Sequence, residues 1–250
     1  MAKTNNRYII KRRHKKLKKR FVFLFIIIFV SSIIFVVKSE FFCIKKVSIS
    51  GNPVMSGEEV KKNTDFLIGQ NIFLINEKDI INEAKKSAYV NSVTIKRKLP
   101  KQVDINITEV RAYYYINDGN TYYVLSSTLS ILEKTQNIEN RNLIELKGID
   151  LDNTDIGSLV IENDRIKTFF NIFSKIVDKN PTQFDISSID LTDLASIKIY
   201  IGDIEGRIGN DENIPDKMNK IMHIIQDPRI GIKKGYIDVG FDGSPVYFSE

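Results

Sequence analysis

Apolar residues fall along this chain in three textures. Residues 21–37 form an uncharged run of Phe, Ile, Val and Leu broken only by Ser31 and Ser32; residues 41–110 mix helical and strand periods; from residue 111 onward short apolar runs alternate with Asn, Asp and Gly. A helix of residues 21–37 rises about 25 Å, the short end of what crosses the hydrocarbon core of a bilayer. That run therefore predicts one transmembrane helix.

In residues 41–110, Ile44, Val47 and Ile49 alternate loosely up to Gly51-Asn52-Pro53, a strand ended by turn residues. Ser56 with Glu59 three residues on has the form of a capping box, opening a helix with Val60 and Phe66 on its apolar stripe. Gly69-Gln70-Asn71 breaks the chain and Ile72-Phe73-Leu74 packs. Asn76 with Asp79 then opens a second helix bearing Ile80, Ile81, Ala84 and Ala88, ending near Tyr89. Val93, Ile95 and Leu99 alternate with Thr94, Lys96 and Lys98, and Val103, Ile105 and Ile107 repeat the pattern beyond Pro100-Lys101, as in a hairpin. Strand, helix, helix, strand, strand makes a small α+β domain, one sheet covered by two helices.

Residues 111–250 predict a larger β-rich domain. Runs at 113–116, 122–125, 143–146, 186–191, 197–201 and 206–208 read as strands. Two helices interrupt them. Ile166, Phe169, Phe170, Phe173, Ile176 and Val177 share one helical face and stop at Asn180-Pro181; the second helix has Pro215 in its first turn and carries Ile214, Met218, Ile221, Met222 and Ile225. The chain closes on 236–241, where Ile237, Val239 and Phe241 alternate, then a Gly243-Ser244-Pro245 break and Val246-Tyr247-Phe248.

Charge adds a direction to the span. Residues 1–20 hold ten Lys/Arg and no acid, and basic residues beside a span stay in the cytoplasm. The tail is thus cytoplasmic and the rest lies outside, a single-pass type II arrangement. Lys38-Ser39-Glu40-Phe41-Phe42 lacks the small-x-small pattern of a cleavage site, so the run reads as an uncleaved anchor. The net charge of +6 belongs to the tail: without it 27 Lys/Arg face 31 Asp/Glu, a net −4, which argues against a nucleic-acid partner. The single cysteine, Cys43, excludes an intrachain disulfide and reads as a small buried hydrophobe at a strand start.

Candidate chemistry is sparse. His14 lies in the tail, and His223 falls about 180° from Ile214 around its helix, on the solvent side, so neither is placed to activate a serine or cysteine nucleophile. One cysteine and one outward histidine cannot supply the ligands of a zinc site. Asp150, Asp152 and Asp155 before Gly157 lack EF-hand spacing and read as a solvated loop. No G-x-G-x-x-G or P-loop occurs, and no cofactor or metal is implied. Paired carboxylates such as Asp190 and Asp193 keep one alternative open, a membrane-anchored cell-wall hydrolase using carboxylates alone.

Val47-Ser48-Ile49-Ser50-Gly51-Asn52, then Gly69-Gln70-Asn71-Ile72-Phe73, then Val90-Asn91-Ser92-Val93 and Lys96-Arg97-Lys98-Leu99-Pro100 resemble the polypeptide-transport-associated (POTRA) domain of the FtsQ/DivIB cell-division family. Tyr123-Val124-Leu125 resembles that family's first β-domain strand, Ile208-Gly209 followed by Lys217-Met218 its strand-then-helix signature, and Tyr236-Ile237-Asp238-Val239 its terminal strand. The likeness covers nearly the whole chain. It departs at Glu109-Val110-Arg111-Ala112, where the family has Glu-Arg-x-Pro, and at Ser126, where it has Asp. The resemblance implies an α+β fold: transmembrane helix 21–37, POTRA-type domain 41–110, and a β-rich domain 111–250 with a C-terminal edge strand. It also implies a non-enzymatic bitopic divisome scaffold in the cell membrane at the septum. Such a scaffold binds FtsB/DivIC-like and FtsL-like single-span partners and helps control septal peptidoglycan synthesis. A POTRA chaperone of outer-membrane secretion is disfavoured, since no run of ten-residue barrel strands follows.

The physical means of such binding is an edge strand, whose unpaired N–H and C=O groups accept a partner's strand. Residues 236–241 are the expected edge because Pro245 suits an edge and not a central strand. The expected partner-binding residues are Tyr236, Ile237, Asp238, Val239, Phe241, Val246 and Tyr247. Tyr236 and Asp238 then point away from a core of Ile237, Val239 and Phe241.

Overall fold

The computed structural model describes residues 4–51, 55–180 and 185–250. Asn52-Pro53 and Pro181, read above as breaks, lie outside the described residues, as does the His14 side chain. A single 35-residue helix, α1 (Thr4–Lys38), opens the chain; within its stretch Lys16–Lys38 an 18-residue window has a mean hydropathy of 2.9 and is unburied by the rest of the protein. The basic tail continues the span as helix because Lys and Arg are good helix formers and no Gly or Pro interrupts them.

The chain divides into two compact units: residues up to Lys86 with Ser92–Thr108, and Ser87–Asn91 with Glu109–Glu250. The smaller sheet is built from β1 (Lys46–Ser50), β2 (Val90–Lys98) and β3 (Gln102–Glu109), with α2 (Gly57–Thr64) and α3 (Glu77–Ala84) between β1 and β2. Its order is β1-β3-β2, with β1 parallel to β3 from Lys46↔Gln102 to Ser50↔Asn106. The last strand is therefore central, and it carries the core: Val103, Ile105 and Ile107 are buried while Asn106 and Thr108 alternate outward. α2 packs on α3 and on β1, burying Val60, Ile80 and Ala84.

Asn76 caps α3 as its sequence predicts, its Oδ1 accepting the Lys78 N–H at 3.1 Å. The capping box at Ser56 does not form. Ser56 is already helical (φ −92°, ψ −11°), so its side chain makes no cap bond, and its carbonyl accepts the Val60 N–H at 2.8 Å. α3 stops at Ala84, short of Tyr89, because Lys85 leaves helical geometry at ψ 0°. Cys43 is half-buried rather than buried.

The second unit holds, among the described residues, a nine-stranded mixed sheet. In chain order its elements are β4 (Ala112–Asp118), β5 (Thr121–Ser126), β6 (Ile131–Thr135), β7 (Ile144–Lys147), α4 (Asp164–Lys179), β8 (Ile186–Asp190), β9 (Ile197–Ile201), β10 (Asp203–Gly209), α5 (Ile214–Gln226), β11 (Lys234–Asp238) and β12 (Val246–Ser249). The sheet order is β12-β11-β10-β9-β8-β7-β4-β5-β6. β7–α4–β8 and β10–α5–β11 join parallel neighbours, and all four strands run the same way. Right-handed crossovers stepping in one direction put both helices on one face, where α4 and α5 pack together. Ile166, Phe169, Phe170 and Phe173 of α4 and Ile214, Met218, Ile221 and Ile225 of α5 are buried against that face. Gly206 is required there: a Cβ would come within 2.8 Å of Ile199 Cγ1 and 3.0 Å of Ile221 Cδ1.

One core group is out of place. The Tyr114 ring packs edge-on against Phe170 with centroids 4.8 Å apart, yet its hydroxyl is buried with no hydrogen-bond partner among the described residues. Burial pushes its pKa up. An orphaned buried hydroxyl costs about 1–3 kcal/mol, so Tyr114→Phe is expected to raise the melting temperature by several degrees. An unchanged or lower value in a thermal melt would show that the hydroxyl is satisfied.

Candidate functional site

The expected edge residues lie at one end of the large sheet, with their roles redistributed. Tyr236, Ile237 and Asp238 sit on β11, which is the second strand, paired in parallel with β10 and antiparallel with β12. The edge is β12, carrying Val246 and Tyr247, and no strand lies outside it among the described residues. Residues 236–241 are thus not the edge. Val239 N–H donates to the Arg207 carbonyl at 2.9 Å and its side chain is buried, so a proline there would break the inner ladder. Phe241 is exposed in the β11–β12 connection and does not join the core of Ile237 and Val239.

The register decides which backbone groups of β12 are open. Tyr236 pairs with Phe248, Ile237 with Tyr247 and Asp238 with Val246, and the Glu250 N–H donates to the Lys234 carbonyl at 3.0 Å. Because hydrogen-bonded pairs alternate along an antiparallel ladder, Val246, Phe248 and Glu250 turn their amides inward. Tyr247 and Ser249 turn theirs outward. At the opposite end of the sheet β6 is different: Ile131 N–H donates to the Ser158 carbonyl (2.8 Å) and its carbonyl accepts from Gly157 (2.7 Å), so a loop covers that edge.

Side chains make the β12 end apolar on both faces. Phe241 (47%), Val246 (48%), Tyr247 (47%) and Phe248 (52%) are each about half exposed. On the face away from the helices, Glu205 Oε1 accepts from Arg207 Nε at 2.7 Å, the guanidinium lies 3.9 Å over the Tyr236 ring, and Tyr236 stacks on Phe248 at 5.9 Å. Phe248 and Arg207 were missed from the sequence. Phe248 stood in the recognised apolar run, whereas the place of Arg207 in the site depends on the Tyr236 ring it covers, which lies on the neighbouring strand β11.

Close backbone approach fixes this end. At Gly235 (φ +130°) a Cβ would sit 2.0 Å from the Phe248 carbonyl oxygen, and at Gly209 (φ +72°) 2.7 Å from the Gly240 oxygen. Lys217 donates to the Asn210 carbonyl (3.0 Å) and Oδ1 (2.7 Å), tying the start of α5 to the end of β10. Gly235→Ala is expected to loosen β12 by about 1–3 kcal/mol. Hydrogen exchange would read it as lost protection at the Phe248 and Glu250 amides, and unchanged protection would refute the tight approach.

The carboxylates raised as hydrolase candidates are committed to turns. Asp190 Oδ1 accepts from the Thr192 hydroxyl (2.6 Å) and amide (2.9 Å), which holds its pKa below the usual carboxylate range. Asp193 Oδ1 accepts the Ala195 amide at 2.8 Å. Both act as acceptors, and Asp190 is a poor proton donor at neutral pH. His223 is exposed, as are Asp150, Asp152 and Asp155.

Residues 42–109 match the POTRA domain family, FtsQ-type. Along its length the chain is similar to cell division protein DivIB of Clostridium botulinum strain Hall, 32% identical over 243 residues, covering 96% of this chain and 94% of that protein. It is equally similar to DivIB of Clostridium acetobutylicum, 32% identical over 245 residues with 98% of each covered. Cell division protein FtsQ of Syntrophotalea carbinolica is 21% identical over 207 residues, 80% of this chain and 70% of that protein.

Proposed function

The chain belongs to the DivIB family of cell-division proteins, and on that premise we propose that it is a non-enzymatic scaffold which docks a partner strand along β12. One observation carries this reading: β12 is an open edge whose outward Tyr247 and Ser249 amides are bordered by four half-exposed large hydrophobic side chains. Main-chain pairing supplies affinity in such docking, and alternate side chains supply specificity. Tyr236, Ile237, Asp238, Val239, Phe241, Val246 and Tyr247 serve the site in two ways. Val246, Tyr247 and Phe241 meet the partner, while Tyr236 and Asp238 back β12 on one face and Ile237 and Val239 anchor β11 in the core.

The partner is an FtsB/DivIC-like single-span protein, with an FtsL-like protein in the same assembly, as the family resemblance implies. α1 anchors the chain in the cell membrane at the septum with the ten basic residues in the cytoplasm, and residues 41–110 and 111–250 work outside it in the control of septal peptidoglycan synthesis. Titrating the DivIC-like partner onto the full chain and onto a chain ending at residue 244 tests the reading. Binding is expected to be lost without β12. Equal affinity of the two forms would overturn it.

A further inference from the structure

Outside α1, exposed large hydrophobic side chains concentrate in two places among the described residues: the β12 end and the segment where the helix leaves the membrane. The second group is unexplained by partner docking. Phe41 (56% exposed), Phe73 (44%) and Leu74 (62%) stand out there, with Phe66 and Ile68 also exposed in the turn leading to them.

The backbone fixes where this group lies. Asn71, buried, donates its Nδ2 to the carbonyls of Val36 (2.9 Å) and Val37 (3.0 Å), satisfying the last turn of α1. Cys43 pairs with Asn71, and the Ile72 N–H donates to the Phe42 carbonyl at 2.9 Å. Leu74 N–H then closes a turn onto the Asn71 carbonyl at 2.9 Å, and the Phe42 ring meets Phe73 at 5.3 Å and Phe41 at 5.1 Å. The turn is thus bolted to the helix end within the reach of an asparagine side chain. Where the span emerges, its neighbours emerge with it.

We propose that the Phe73–Leu74 turn, with Phe41, is a second membrane contact, seated at the boundary of headgroups and acyl chains of the bilayer that α1 spans. The proposal rests on the reading of α1 as a membrane anchor. Phe rings and Leu gain by leaving water at that depth, while cations beside them meet lipid phosphates. Within residues 38–46, Lys38, Lys45 and Lys46 stand against one acid, Glu40, and Lys101 Nζ lies 5.0 Å over the Phe41 ring, a cation–π contact that adds a positive charge beside the group. The contact gives the smaller domain a fixed seat on the bilayer instead of a swivel at Lys38.

The full chain with Cys43→Ala is reconstituted in vesicles of phosphatidylethanolamine and phosphatidylglycerol and labelled with an environment-sensitive fluorophore at Leu74→Cys. Comparison labels are placed at Phe25→Cys in the span and at Thr108→Cys, exposed on β3 about 20 Å along the sheet from Gln102. Emission at Leu74 is expected to be blue-shifted and quenched on the order of twofold more by shallow than by deep doxyl lipid, the reverse of Phe25, with Thr108 unquenched. A Leu74 label that behaves like Thr108 while Phe25 is quenched deep in the bilayer overturns this contact alone. A Phe25 label that escapes quenching overturns the anchor and the contact with it. Because Leu74 is 62% exposed, circular dichroism of the variant should match wild type.

Discussion

Tyr247→Pro is expected to weaken strongly the binding of the proposed DivIC-like partner while the protein keeps its melting profile. The Tyr247 amide points away from β11, so proline there removes a donor from the open edge and leaves the inward amides of Val246, Phe248 and Glu250 in place. The missing bond and the obstructing ring together weaken affinity by about 10–100-fold or more. Two companions separate backbone from side chain. Tyr247→Ala keeps the amide and should retain most of the affinity, whereas Phe248→Pro deletes an inward amide and should free β12 from the sheet. Calorimetry beside circular dichroism reads all three, and undiminished affinity in a folded Tyr247→Pro chain would move the docking site off this edge.

The largest effect on stability is expected from Ile105→Asp. Ile105 is fully buried in the central strand of the smaller sheet, between the buried Val103 and Ile107. Burying a carboxylate unpaired costs several kcal/mol, against a stability of roughly 5–15 kcal/mol for a whole domain. The substitution should therefore unfold the first unit, and Ile80→Asp on α3 should do the same from the opposite side of the core. Asn106→Asp, one position along on the exposed face, should leave the melt near wild type. Equal melts for Ile105→Asp and Asn106→Asp would mean that the strand faces are assigned backwards.

Amphipathic helices were legible because the 3.6-residue period is written locally: Ile166, Phe169, Phe170 and Phe173 are all buried on α4. The strand faces of Val103, Ile105 and Ile107 were legible for the same reason with a period of two. β6 was missed because Ile131 and Leu132 are adjacent and both buried, which breaks the alternation, and because Leu129 (φ +63°) turns just before them. The capping box failed at Ser56 because a cap depends on backbone geometry that residue types alone do not fix.

The sequence by itself determined the long apolar run and the charge asymmetry beside it, a small α+β region followed by a larger β-rich one, and the faces of the main elements, since each follows from the order and period of residues along one segment. Only the tertiary structure decided that β12 and not β11 is the edge. Alternation tells a strand which side is core but not which strand lies beside it. That neighbour is chosen by the crossover through α5, which lays β11 against β10, and by the close backbone approach at Gly235, which lets β12 close over β11 and leave Tyr247 facing outward.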